Sequence, residues 1–277
     1  QGNVPQDRKW LPSEREATLG HYLEATAAHG DKDLVVWPET AIPAFYHTVP
    51  EYLERVQALA AATDTAVLLG APYRVPGAER IHNSVAVLDP EPRLYHKRHL
   101  VPFGEYVPLE STLGPLLDVM RLPLPSFAPG APRQEPLTAA GQRLGVSICY
   151  EVVFGEAVRR ALPEAGLLVN VSNDAWFGTS TGPHQHLQMA RMRALETGRP
   201  LLRATNTGIT AVIAPDGSLR ARLPQFEAGV LSARVTPRTG LTPYARLGDL
   251  PVLSLALAAV LAVLGVPSVR GRYTNLP

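Results

Sequence analysis

The stretch Leu144-Gly-Val-Ser-Ile-Cys-Tyr-Glu151 is a short apolar run that ends at a cysteine followed by two polar residues. A run of this length and composition is typical of a buried strand. Cys149 is the only cysteine among 277 residues, which excludes a disulfide within the chain and a metal site built from several thiolates. A single cysteine is as often a small buried hydrophobic residue as a reactive group, so this segment alone leaves both interpretations open.

Two upstream segments favour a reactive cysteine. Val35-Val-Trp-Pro-Glu39-Thr and Tyr95-His-Lys97-Arg each place a charged residue at the end of a strand-like run. Taken alone, each charge is more often a solvated surface group. Together, a carboxylate, an ammonium and a thiol are the groups that cysteine acyl transfer needs. Glu39 would be the general base, and Lys97 would stabilise an oxyanion and help to keep Cys149 as a thiolate, with the Tyr150 peptide N–H as a second oxyanion donor.

Other polar residues near these segments are harder to interpret. Glu105 and Glu151 can orient the lysine and raise the pKa of the base, but surface charge explains them equally well. His184 and His186 are too few for a metal site without a third ligand. No Gly-rich phosphate loop and no Gly-x-Ser-x-Gly elbow is present. The predicted chemistry therefore requires no metal and no cofactor.

Strand-like apolar runs alternate with amphipathic helical patterns along most of the chain. The predicted helices are 13–29, 52–62, 155–162 and 185–197, and the predicted strands are 34–37, 66–70, 83–88, 93–97, 143–149, 166–172, 201–205, 209–213 and 229–235. This alternation predicts an α/β layered sandwich rather than a bundle or a barrel. Residues 98–135 show no clear period, and we expect part of 103–127 to form an apolar lid over the site, with packing onto the core as the alternative.

The net charge of the chain and the hydropathy of its C-terminal segment indicate which kinds of partner to expect. The formal net charge is +1 without a long basic run, which argues against nucleic acid as a main partner. No residue between Leu250 and Val269 is charged. About 20 such residues suffice to cross the hydrocarbon core of a bilayer. We therefore expect a transmembrane helix over 246–269, with Arg270 and Arg272 on the cytoplasmic side, and a buried core helix is the alternative.

Longer strings extend the pattern beyond the three reactive groups. They are Gln1-Gly-Asn-Val-Pro-Gln6, Trp37-Pro-Glu-Thr40, Leu100-Val-Pro-Phe-Gly-Glu-Tyr-Val-Pro108, Ile148-Cys-Tyr-Glu151, Asn170-Val-Ser-Asn-Asp-Ala-Trp-Phe-Gly178 and His184-Gln-His-Leu-Gln-Met-Ala-Arg-Met-Arg-Ala-Leu-Glu196. With Glu39, Lys97 and Cys149 in this order, the chain resembles the nitrilase (carbon-nitrogen hydrolase) superfamily. Within that superfamily it resembles the bacterial apolipoprotein N-acyltransferase family over nearly its whole length.

The resemblance implies a nitrilase-type αββα sandwich over 1–245 that faces the periplasm from the bacterial inner membrane. It also implies a transmembrane helix over 246–269, a cytoplasmic tail over 270–277, and an N-terminal membrane domain that this chain does not contain. The catalytic residues it implies are Glu39, Lys97 and Cys149. The supporting residues it implies are Trp10, Glu105, Tyr150 and Glu151.

The reaction implied by the resemblance has two steps. Cys149 takes the sn-1 acyl chain of a phospholipid, typically phosphatidylethanolamine, as a thioester. The chain then passes to the α-amine of the N-terminal diacylglyceryl-cysteine of an apolipoprotein, with ping-pong kinetics. One alternative is a soluble amidase that hydrolyses C–N bonds of small substrates, which leaves the apolar tail unexplained. The other is a non-catalytic, membrane-anchored binding protein with the same fold.

Overall fold

The computed structural model describes residues 1–89, 91–108 and 127–265. The helices are α1 (Pro12–Ala27), α2 (Pro50–Thr63), α3 (Gly155–Arg159), α4 (Gly182–Thr197), α5 (Pro243–Leu247) and α6 (Leu250–Gly265). The strands are β1 (Leu34–Val36), β2 (Ala66–Arg74), β3 (Ile81–Asp89), β4 (Glu91–His96), β5 (Leu137–Ala139), β6 (Gln142–Ile148), β7 (Leu167–Ser172), β8 (Leu201–Thr205), β9 (Ala211–Ile213) and β10 (Leu219–Arg222). Short 3₁₀ turns cover Tyr46–Thr48, Cys149–Val153 and Asp174–Phe177.

The strands form two mixed sheets. The first has the order β1-β2-β3-β4, with a parallel β1–β2 pair and antiparallel pairs beyond it. The second has the order β10-β9-β8-β7-β6-β5, in which β6, β7 and β8 run parallel and the outer strands run antiparallel. Because two antiparallel steps separate β2 from β4, the strands β1 and β4 end at the same edge of their sheet.

The two sheets pack face to face between two layers of helices. Leu68 and Val85 of the first sheet share a buried cluster with Ile148 and Val169 of the second. On the outer faces, α1 and α2 cover the first sheet and α4 covers the second; examples of the buried helix residues are Leu19, Val56 and Ala190. Central strands such as β2 and β7 are thus buried on both faces, which explains their continuous apolar runs in the sequence. The predicted α/β sandwich is confirmed.

The structure differs from the predicted elements in several places. The segment 229–235 is not a strand, and our prediction there was wrong: most of its side chains are exposed, so burial does not fix it in a sheet. The short strands β5 and β10 were not predicted, because three residues or an alternation of apolar residues with arginine give a weak signal. Of the predicted lid over 103–127, residues 109–126 lie outside the described residues.

The C-terminal helix α6 carries large apolar side chains that are exposed along its length, for example Leu250, Leu255 and Val263. Within the described part of the chain, these side chains are therefore not buried in the core. None of the helices in the described ranges is both long and apolar enough to cross a membrane. Residues 266–277, which include the end of the predicted transmembrane segment and the predicted tail, are not among the described residues.

Candidate active site

Glu39 lies just beyond the end of β1, buried, with both carboxylate oxygens engaged. Oε1 accepts a hydrogen bond from Asn83 Nδ2 at 2.7 Å, and Oε2 accepts one from the peptide N–H of Asn173 at 2.7 Å. Gly70 on the neighbouring strand β2 makes room for this turn, because a Cβ there would lie 2.5 Å from the Pro38 carbonyl oxygen and 2.9 Å from Glu39 Cα. The carboxylate is therefore fixed in orientation from both sheets.

Lys97 follows β4 directly, and its side chain is 1% exposed. Nζ donates a hydrogen bond to Glu105 Oε1 at 2.9 Å and lies 3.6 Å from Glu39 Oε1. Asn83 Nδ2 also donates to Glu105 Oε1, at 3.0 Å, so one amide joins the two carboxylates. Burial alone would lower the pKa of Lys97, but the charges of Glu39, Cys149 and Glu105 outweigh it and raise the pKa above its usual value. Lys97 is therefore a fixed cation.

Cys149 is the first residue of the 3₁₀ turn that follows β6, and its backbone has a φ of 51°. A cysteine in this left-handed region is strained, and such strain persists where the surroundings enforce it. Burial and the charge of Glu39 raise the pKa of the Cys149 thiol to about 12, although Lys97 lowers it. Lys97 thus favours the thiolate, as expected, but burial and the charge of Glu39 outweigh it, and a base is needed to take the proton.

Glu151, in the same turn, is buried and does not face the reacting groups. Its Oε1 accepts hydrogen bonds from the peptide N–H groups of Arg98 at 2.7 Å and His99 at 3.2 Å, and its Oε2 accepts one from the peptide N–H of Ile148 at 2.9 Å. The hydroxyl of Tyr95 donates to the same carboxylate. Glu151 thus ties the segment around Lys97 to the turn that holds Cys149.

The other two predicted supporting residues, Tyr150 and Trp10, are more exposed. The Tyr150 ring packs edge-on against Phe154, and its peptide N–H is at the start of a 3₁₀ turn, where such groups have no partner within the turn. Trp10 is 49% exposed and follows Lys9, which is buried and donates a hydrogen bond from Nζ to the Glu39 carbonyl oxygen at 3.2 Å. The Trp10 segment is thereby attached to the backbone of Glu39.

Sequence reasoning missed several buried polar residues of the site. Asn83 and Asn173 hold the Glu39 carboxylate, and Asn206 donates from Nδ2 to Asn173 Oδ1 at 3.1 Å and to the Val4 carbonyl oxygen at 2.8 Å. The available signal was weak, because Asn83 stands between the polar residues His82 and Ser84 at the start of β3. Asn173 contributes its peptide N–H, and the residue type of a position does not show whether its peptide N–H is used.

A second buried polar cluster lies behind the cysteine. His186 Nε2 lies 3.0 Å from the Cys149 carbonyl oxygen, and Nδ1 lies 3.0 Å from Asp174 Oδ1. Arg203 Nη2 donates to Asp174 Oδ2 at 2.8 Å. Donor atoms of Cys149, Asp174 and His186 lie within 4.8 Å of one another, the distance range of a metal site. Both ring nitrogens of His186 already have protein partners, however, and His184 is exposed, so this donor set does not fit a metal ion.

The arrangement provides the parts of covalent cysteine catalysis. Glu39 is a fixed acceptor for a proton, Lys97 is a fixed cation, and Cys149 is a neutral thiol whose pKa responds to both charges. The three residues come from the ends of β1, β4 and β6, in two different sheets. Such a set can form and resolve an acyl-thioester.

Known proteins share this architecture. Residues 3–244 match the sequence profile of the family described as carbon-nitrogen hydrolase. An amidase from Nesterenkonia sp. has a similar fold, with a TM-score of 0.60 and 21% identity over 87% of this chain and 90% of its own. A carbon-nitrogen hydrolase from Helicobacter pylori gives a TM-score of 0.59 and 20% identity over 78% of this chain and 82% of its own.

Curated relatives are more similar in sequence. A protein from Methylococcus capsulatus is 49% identical over 94% of this chain and 52% of its own length, and one from Vibrio cholerae is 45% identical over 94% of this chain and 53% of its own. Both are named apolipoprotein N-acyltransferase. The chain thus spans about half the length of the curated relatives it matches. Since the family profile covers most of the chain and the two-sheet fold agrees with it, the chain belongs to the carbon-nitrogen hydrolase family.

Proposed function

We propose that this chain carries the catalytic domain of a phospholipid:apolipoprotein N-acyltransferase. The observation that carries the chemistry is the position of Lys97 Nζ, 2.9 Å from Glu105 and 3.6 Å from Glu39, at the strand ends where Cys149 also lies. The acyl acceptor is inferred from the relatives at 49% and 45% identity, which bear this enzyme's name. An amidase that acts on small C–N substrates shares the chemistry, and it is the outcome that the experiment below must exclude.

In the first half-reaction, Glu39 takes the proton of the Cys149 thiol, and Sγ attacks the carbonyl carbon of the sn-1 ester. The oxyanion that develops is stabilised by the Lys97 ammonium and by the Tyr150 peptide N–H. The ester C–O bond then breaks, Glu39 returns the proton to the leaving oxygen, and a lysophospholipid departs. Because the pKa of the resting thiol is about 12, the base is essential to this step.

In the second half-reaction, the α-amine of the diacylglyceryl-cysteine attacks the thioester carbonyl. Glu39 accepts the proton that the amine loses, the C–S bond breaks, and Cys149 leaves as the thiolate that is then protonated. The product is an amide. Glu105 keeps Lys97 in place through both steps, since its Oε1 is bonded to Nζ and its Oε2 accepts a hydrogen bond from the peptide N–H of Val101 at 2.8 Å.

Both proposed substrates are lipids, which gives the C-terminal segment a role. We propose that 1–245 is the catalytic domain on the periplasmic side of the bacterial inner membrane and that 246–269 anchors it, with 270–277 in the cytoplasm. The exposed apolar side chains of α6 support this role. Its 16 described residues would cover about 24 Å of the hydrocarbon core at the rise of an α-helix. Phosphatidylethanolamine is the proposed acyl donor.

Mass spectrometry of the full-length protein incubated with phosphatidylethanolamine vesicles tests this proposal. We expect an adduct of fatty-acyl mass on Cys149 that hydroxylamine removes, and an equal amount of lysophospholipid. Cys149→Ala is the matched control and should give neither product. Ammonia released from small amides, with no lysophospholipid from vesicles, would instead identify an amidase.

A further inference from the structure

The strained backbone of Cys149 needs neighbours that enforce it. Its φ of 51° lies in the left-handed region, which non-glycine residues rarely adopt. Two buried side chains hold its carbonyl group: His186 Nε2 at 3.0 Å and Asn170 Nδ2 at 3.3 Å. A carbonyl oxygen only accepts hydrogen bonds, so the contact requires a hydrogen on His186 Nε2. These two side chains therefore fix the orientation of the peptide plane between Cys149 and Tyr150.

His186 is itself held on its far side. Its Nδ1 lies 3.0 Å from Asp174 Oδ1 and 3.1 Å from Arg203 Nη2, which also donates to Asp174 Oδ2 at 2.8 Å. The hydroxyl of Ser172 donates to Asp174 Oδ1 at 2.8 Å. Burial alone would raise the pKa of Asp174, but Arg203 and the hydrogen bond with His186 outweigh it and hold the pKa well below its usual range. A turn of the ring would break its contacts with the Cys149 carbonyl oxygen and with Asp174.

The cluster joins three elements to the residue after β6. His186 lies on α4, Asp174 in the 3₁₀ turn after β7, and Arg203 on β8, and all three are almost fully buried. None of them contacts Glu39 or Lys97 among the described hydrogen bonds and ion pairs. Of the three, His186 bonds the main chain of Cys149, and donor atoms of His186 and Asp174 also lie within 4.8 Å of Sγ. His186 can therefore influence the reaction by fixing the position of the nucleophile Cys149.

We propose that His186 is a positioning residue that holds the Cys149 carbonyl, and with it Sγ, in the geometry of attack. The inference deepens the proposed function and rests on Cys149 being the nucleophile. Misplacing a reacting atom by about 1 Å costs roughly 10²-fold in rate, which sets the size of the effect expected when this hydrogen bond is lost.

Two conservative variants of the full-length protein separate positioning from general stability. In His186→Gln, the side-chain amide nitrogen lies close to the position of Nε2, so this variant keeps a hydrogen-bond donor to the Cys149 carbonyl oxygen. In His186→Asn, the side-chain amide nitrogen lies close to the position of Nδ1. This variant therefore keeps a partner for Asp174 but loses the hydrogen bond to the Cys149 carbonyl oxygen. We expect thioester formation within about tenfold of wild type for His186→Gln and a loss of roughly 10²-fold for His186→Asn, at similar melting temperatures.

The rates are measured with phosphatidylethanolamine vesicles and, in parallel, with a short-chain p-nitrophenyl ester. Equal losses in the two variants, or losses that follow the melting temperature, would overturn the inference. If His186→Asn does not fold, a folded His186→Gln that has lost more than about 10²-fold would overturn it as well. Failure of the proposed function gives a different result. Wild type would then form the thioester from the soluble ester but not from vesicles. The acylation rates of the two variants could still be compared with the soluble ester.

Discussion

Glu151 Oε1 accepts a hydrogen bond from the peptide N–H of Arg98 at 2.7 Å. Arg98 follows Lys97 at the end of one sheet, and Glu151 lies two residues after Cys149 at the end of the other. Because the opposite oxygen, Oε2, holds the peptide N–H of Ile148 at 2.9 Å, a single carboxylate fixes the spacing between the cation and the nucleophile. The distance between the two reactive groups thus depends on a side chain that belongs to neither of them.

Replacing this carboxylate should weaken both the fold and the reaction. Glu151→Gln keeps the shape but turns an NH₂ group toward peptide N–H groups that need an acceptor, and a buried group left unpaired costs about 1–3 kcal/mol. We expect a lower melting temperature and slower thioester formation. Glu164→Gln is the control, since that carboxylate is about half exposed and pairs with Arg143 at the surface. The positioning role of Glu151 is refuted if the two variants behave alike.

The high pKa of the Cys149 thiol makes the effect of Glu39→Gln dependent on pH. Loss of the general base should slow thioester formation by about 10²–10⁴-fold at neutral pH. Because the charge of Glu39 helps to raise the thiol pKa, the variant should have a lower thiol pKa than wild type, and its rate should rise with pH as the thiolate fraction grows while wild type changes little. The measurement is the acylation rate between pH 7 and pH 9. A variant whose rate stays flat over this range would contradict the role of Glu39 as base.

Gly70 should tolerate no side chain, because the atoms around it are backbone. A Cβ there would lie 2.5 Å from Thr40 N and 2.9 Å from Glu39 Cα. Gly70→Ala should therefore displace Glu39 and reduce thioester formation by roughly 10²-fold. The matched control is Gly20→Ala on α1, where nothing lies within 4 Å and alanine favours the helix. Acylation rates and melting temperatures are compared; a fully active Gly70→Ala would show that Glu39 does not need this close approach.

Lys9 should make stability rise with pH above neutrality. Burial lowers the pKa of Lys9 to about 8, whereas a lysine in the unfolded chain has a pKa near 10.4. Between these values the unfolded chain binds the proton and the folded chain does not, so the folded state gains stability as the pH rises. Relative to Lys9→Met, wild type should melt at a higher temperature at pH 10 than it does at pH 7.5. A constant difference between the two proteins would mean that Lys9 does not titrate in this window.

The C-terminal helix should control partition into membranes. Its exposed leucine and valine side chains have no partner in the described part of the chain, and lipid would cover them. A chain ending at Asp249 should appear in buffer, whereas the chain through residue 277 should appear with vesicles, as measured by flotation. Circular dichroism serves as the control that the shorter chain is folded. Equal partition of the two chains would argue against the proposed anchor.

The positions of Glu39, Lys97 and Cys149 could be predicted because each follows a strand with an apolar pattern. Leu144 and Ile148 of β6 are fully buried, and the register of β6 with β7 then fixes the place of Cys149 at the edge of the sheet. The alternation of strands with helices gave the layered sandwich for the same reason. Burial of a strand on both faces requires a continuous apolar run, and such a run can be recognised in a single sequence.

The groups that hold the reactive residues could not be predicted in the same way. His186, Asp174 and Arg203 lie on three separate elements and meet only through the packing of α4 on the second sheet. Asn173 contributes a peptide N–H, which every residue except proline has. The segment 229–235 has strand-like composition, and only the absence of burial, which a sequence does not display, shows that it is not a strand.

The neutral state of the Cys149 thiol also has a consequence for chemical lifetime. Oxidants and disulfides react with the thiolate, and a pKa of about 12 leaves very little of it at neutral pH. Cys149 has no second cysteine in this chain that could rescue it by exchange. In an oxidising compartment such as the proposed periplasm, a nucleophile that gives up its proton only to Glu39 is protected from oxidation between turnovers. The raised pKa of the thiol would therefore protect the proposed nucleophile as well as set its need for a base.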